Sequence, residues 1–268
     1  MIDHVFGLIY TVLLLGGMSY FFHQKSKEWD DREYFSFFRG DWGNISILSA
    51  AVSLVTRTII VHYAPATSEI LLIPVSIAVF ALVFSAWTDA WSGHAPLEVA
   101  WLGIGLSLPF MVYGLFTSHQ GWLGLASVAI WGCICFFLYF NRGLGDADVR
   151  LLWLINISTI WFVGLYWSTI IFGTAALLQL VVHILASVFK IGTLRDMEYT
   201  RRELKRRKFW SKIFKNIDTE KESRVRRAVQ FIPVLAFTYI VAFVVLMAFN
   251  PELLLVNIPS VVGIQTLL

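Results

Sequence analysis

The chain has 268 residues, 57% of them hydrophobic, with a mean hydropathy of +0.70. Soluble domains run at about 45–50% apolar, so an ordinary soluble globular fold is excluded. The net charge is only +3, and most of the Lys and Arg fall in one block, from Lys190 to Arg227. Such a block suits nucleic acid in principle, but a cytoplasmic loop beside anionic lipid is the plainer reading, and no nucleic-acid partner is expected.

Several apolar runs reach the roughly 20 residues needed to cross a bilayer. They are continuous and lack a period of two, which argues against a β-barrel. The expected class is all-α, a polytopic membrane protein of about eight transmembrane helices with a small basic cytoplasmic insert.

Span 1 is expected over about Val5 to Phe22. It lacks a basic leader and a small-residue cleavage site, so it reads as a span and not as a signal peptide. The connector Gln24 to Asn44 mixes both charges with aromatics such as Trp29, Phe35 and Trp42, which predicts an amphipathic segment at the interface. Span 2, about Ile45 to Tyr63, carries Arg57, which must snorkel or find a partner. Residues 1–69 thus form an N-terminal pair of spans.

Residues 70–190 form the expected core. Span 3 covers about Ile70 to Trp87 and ends at Thr88-Asp89. Span 4 follows the turn Ser92-Gly93-His94-Ala95-Pro96 and covers Leu97 to Leu115. Span 5 is about Trp122 to Phe140. The stretch Asn141 to Arg150 then places Asp146 and Asp148 between apolar segments, among Gly143 and Gly145. Spans 6 and 7 are expected at about Leu151 to Tyr166 and Ser168 to Phe189. The basic insert occupies 191–230. Span 8, about Phe231 to Phe249, and an apolar tail complete 231–268. Cys133 and Cys135 cannot supply a four-ligand zinc site and read as packing residues, so no metal or cofactor is expected.

Placing the basic block in the cytoplasm and alternating the spans leaves both termini outside. All basic residues except Arg57 then fall at the cytoplasmic side, as do Asp89, Asp146 and Asp148. Two carboxyls sharing a proton can activate water while one stays acidic. The same acids can instead cap helix ends and pair with Arg142 and Arg150. His94, close to Asp89, reads as an interfacial turn histidine.

Asp89, with Pro96 opening the next span, resembles the first aspartate motif of the prepilin peptidase superfamily. Gly143-Leu144-Gly145-Asp146 is the literal Gly-x-Gly-Asp string of its second motif. Asp148-Val149-Arg150-Leu151 resembles the same motif in another alignment, with the preceding Ala147 and a following basic residue. That second alignment is preferred, with Asp89 and Asp148 as catalytic pair and Asp146 as a neighbouring acid; the literal one makes Asp146 catalytic. The layout from Ile70 to Phe249 is similar to archaeal preflagellin peptidases, and the zinc-binding cysteine pairs of the bacterial relatives are absent. The resemblance implies an aspartic endopeptidase of the cell membrane, with its active site facing the cytoplasm. It would remove class III signal peptides from pilin-like or archaellin precursors, whose basic leader precedes an apolar helix. Gly143, Gly145, Arg150 and Pro96 would border the substrate, and membrane lipid would surround it. Gly-Leu-Gly-Asp also resembles presenilin and signal-peptide-peptidase enzymes, but Thr88 stands where they carry Tyr. A proton-coupled transporter or a pilus-assembly scaffold is the non-enzymatic alternative.

Overall fold

A computed structural model describes residues 2–30, 41–63, 69–92, 94–117, 121–140, 146–188 and 231–249. Among the described residues there are seven helices and no strand: α1 (Ile2–Asp30), α2 (Trp42–Tyr63), α3 (Glu69–Ser92), α4 (Leu97–Thr117), α5 (Gly121–Phe140), α6 (Asp146–Val188) and α7 (Phe231–Phe249). The helices satisfy their backbone polar groups internally, which apolar surroundings require. Four of them, α1 to α4, contain segments long and apolar enough to cross a membrane, and shorter apolar segments lie in α5 and α7. The protein is a helical membrane protein. Arg142, Gly143, Gly145, the basic insert and the C-terminal tail lie outside the described residues.

α3 is the central helix. Its apolar run continues around the whole circumference, and every residue from Leu71 to Leu82 is buried. It packs against α1, α2, α4, α6 and α7. In the other three membrane-length helices most residues of the apolar window face outward, as one expects of a helix that meets lipid on most of its surface. Small residues allow the close approaches. At Gly103 of α4 a Cβ would lie 2.6 Å from Leu154 of α6. Gly114 of α4 and Gly124 of α5 seat the Trp161 ring. Polar side chains bridge the interior: the Ser53 hydroxyl donates to the Ser76 carbonyl at 2.6 Å, and the Thr159 and Tyr239 hydroxyls meet at 2.7 Å.

Two expectations change. α1 runs past Phe22 to Asp30, so the first part of the connector continues the helix. No Gly or Pro falls between Phe22 and Asp30 to stop it, and Leu15, Met18, Phe22 and Trp29 fall on one face and are buried. Trp29 is therefore a core residue and not an interfacial one. It packs on Trp42, with ring centroids 4.8 Å apart, while Phe22 lies 4.9 Å from Phe84 of α3. The second change concerns spans 6 and 7. Residues 146–188 form one continuous 43-residue helix, with no break at Tyr166–Ser168. Tyr, Trp and Ser there include neither a proline nor a glycine to stop the helix. At 1.5 Å per residue this helix is about 64 Å long, roughly twice the hydrocarbon thickness.

The contacts sort the helix termini into two ends. The Phe22, Trp29, Trp42 and Phe84 cluster puts the end of α1 and the start of α2 beside the end of α3. Trp42 donates its indole N–H to Asp30 at 2.8 Å there. The starts of α4, α6 and α7 join this end, as the site shows. At the other end Arg57 of α2 pairs with Glu69, the first residue of α3, directly beneath Gly7 of α1. Arg57 thus finds a partner instead of snorkelling.

Candidate active site

Asp89 lies in the last turn of α3 and is 8% exposed. A carboxylate so placed needs donors, and one comes from the backbone. The N–H of Ile232, in the first turn of α7, donates to it. The first N–H groups of a helix have no partner within the helix and carry its positive end. Asp89 thus joins the end of α3 to the start of α7. The neighbouring Thr88 hydroxyl folds back onto the Phe84 and Ser85 carbonyls, at 3.2 and 3.0 Å.

Asp148 lies in the first turn of α6 and is half-buried. Its charge acts directly on Asp89. The two acids, far apart in sequence, lie at the same end of the bundle, near enough for one charge to act on the other. The helix start of α7 and the first turn of α6 both direct positive dipole ends to this place.

Asp146 takes a different direction. Its carboxylate forms an ion pair with Arg150 one turn later, and its carbonyl accepts from Arg150 Nη1 at 3.0 Å. The guanidinium lies over the Trp101 ring of α4, 4.9 Å from its centre. At about 100° per residue, Asp146 and Arg150 each stand about 200° around α6 from Asp148. Both acids lie at the same boundary in the chain; the helix turns them to opposite faces. Asp146 and Arg150 line a cavity between α4, α5 and α6, together with Trp153, Cys133 and Cys135. Asp89 and Asp148 do not line it.

Pro96 is buried at the start of α4, where its carbonyl accepts from Val99 N at 3.2 Å. His94 is exposed in the preceding turn. Trp87, Trp101 and Trp122 are exposed, as an interfacial belt requires. Cys133 and Cys135 are free thiols. Among the described residues no three His, Cys, Asp or Glu side chains converge on a metal position. Sequence reasoning missed two participants. The Ile232 N–H is a backbone group and leaves no residue-type signal. Trp101 contacts Arg150 across two helices, which spacing does not reveal.

A buried carboxyl held by a backbone donor, with a second carboxyl close by, can share a proton with it. Such a pair can polarise water on one side and protonate a leaving group on the other. Compared with family models, curated proteins and solved structures, the chain matches none of them.

Proposed function

We propose that this protein is a membrane aspartic endopeptidase in which Asp89 and Asp148 form the catalytic pair. The observation that supports this reading is the electrostatic influence of Asp148 on the buried Asp89 at one end of the helix bundle. One carboxylate takes a proton from water as it attacks the scissile carbonyl; the other, protonated, delivers its proton to the departing amine. The pair acts as one unit, and its protonation states belong to both acids together.

The substrate class is a pilin-like or archaellin precursor, cut where its basic leader meets its apolar helix. In this reading the active end faces the cytoplasm, because Lys25 and Lys27 in the last turns of α1 and Arg150 in α6 lie at that end, where an excess of basic residues belongs. With residues 146–188 as one helix, the reading has seven membrane helices among the described residues instead of the eight expected. The ring of α1 and α2 aromatics beside Phe84 braces the last turns of α3 and so holds Asp89.

The test is cleavage of a pilin-like precursor in membranes by the wild type and by Asp89→Asn, Asp146→Asn and Asp148→Asn separately. The proposal predicts cleavage by the wild type and by Asp146→Asn, and loss in the other two. Cleavage that persists in Asp148→Asn and disappears in Asp146→Asn would overturn the assignment of the second acid. A wild type inert towards such precursors would count against the substrate class.

A further inference from the structure

On the face of α6 turned away from Asp148 there is a cavity of about 500 Å³, walled by α4, α5 and the first turns of α6. That volume falls within the range of about 300–1,000 Å³ common for small-molecule sites. Its wall is apolar, formed in part by Gly132, Cys133, Phe136 and Trp153. Gly132 matters for the shape: a Cβ there would approach the Trp153 indole nitrogen to 3.0 Å. That nitrogen is already committed, donating to the Val128 carbonyl at 3.2 Å, so it offers a ligand nothing polar.

The polar groups gather where α6 begins. Arg150 lies over Trp101 and holds Asp146 through Nη1. Among the described residues its Nη2 and Nε have no hydrogen-bond or ion-pair partner, and its side chain is 21% exposed. The cavity therefore has a long apolar body and one cationic fork at its rim. Trp101, Phe136 and Tyr139, which line it, are exposed. An occupant thus enters from the apolar surroundings of the helices and not through a polar channel.

We infer that this cavity holds one apolar tail of a membrane phospholipid whose anionic phosphate rests on Arg150. The guanidinium fork suits a phosphate, and its remaining donors fit two oxygens. Asp146 competes for the same cation, so the site is tuned for moderate affinity. A precursor helix is the less suitable occupant, because this cavity lies across α6 from the acid pair. The inference stands independently of the peptidase reading, since neither Asp89 nor Asp148 touches the cavity.

Native mass spectrometry of the full chain, released from detergent after equilibration with equal amounts of phosphatidylglycerol and phosphatidylcholine, tests it. One phosphatidylglycerol should be retained in preference by about tenfold, as a hydrogen bond to a charged group allows. Arg150→Gln should remove the preference, Asp146→Asn should increase it, and Cys133→Phe should reduce retention of both lipids. Equal retention of the two lipids by the wild type, or an unchanged preference in Arg150→Gln, would overturn the inference. A second measurement needs no change at the rim. In Cys135→Ala, maleimide labelling of the exposed Cys133 should slow in phosphatidylglycerol vesicles relative to phosphatidylcholine vesicles. Inorganic phosphate alone should leave the rate unchanged; protection by phosphate without lipid would contradict the role given to the tail.

Discussion

The two ends of the bundle bury charge in opposite ways. At one end Arg57 and Glu69 form an ion pair, each nearly inaccessible, under a glycine that leaves room for both. At the other end Asp89 and Asp148 bring like charges together, offset by a backbone N–H at the start of α7. Attraction between opposite charges compensates much of the cost of removing them from water. Like charges lack that compensation. The first arrangement ties α1, α2 and α3 together. The second is costly to keep, which on the proposed reading separates a structural pair from a catalytic one.

The contrast can be broken from either side. The largest effect is expected on activity: Asp89→Asn and Asp148→Asn should each lower precursor cleavage by about 10²–10⁴-fold, the usual contribution of a positioned acid or base. Both should leave thermal stability in detergent unchanged or slightly higher, because a like-charge repulsion is removed. Next, Arg57→Met should destabilise the protein by about 3–5 kcal/mol in chemical denaturation, because it strands a buried Glu69. The double variant Arg57→Met with Glu69→Leu should recover most of that loss. Smaller still, Gly7→Ala should cost about 1–3 kcal/mol by pressing a methyl group against the pair. If Arg57→Met were neutral in stability while Asp89→Asn unfolded the protein, the division of roles between the ends would be reversed.

Much of this organisation was legible in the chain. Apolar runs mark the helices, and the parity of spans 3 to 5 puts Asp89 and Asp148 at one end. The burial of Trp29 was not legible, because a polar stretch rich in Lys and Glu reads as exposed. Its helical register with Phe22 decides the matter. The partner of Arg57 was hidden because pairing with Glu69 depends on how α2 and α3 turn back on each other. Local spacing left Asp146 and Asp148 open, since both lie at the same boundary. Only the face of α6 that each occupies separates them, and that face is set by packing against α3, α4 and α5. The cavity beside Arg150 is likewise a product of packing, and no local pattern encodes a void.

The most direct test of the central claim is pairwise cross-linking in a chain carrying Cys133→Ser and Cys135→Ser. Adding Asp89→Cys with Asp148→Cys should give rapid disulfide formation under mild oxidation in membranes, while Asp89→Cys with Asp146→Cys should stay reduced. Rapid closure of the second pair and not the first would contradict the account.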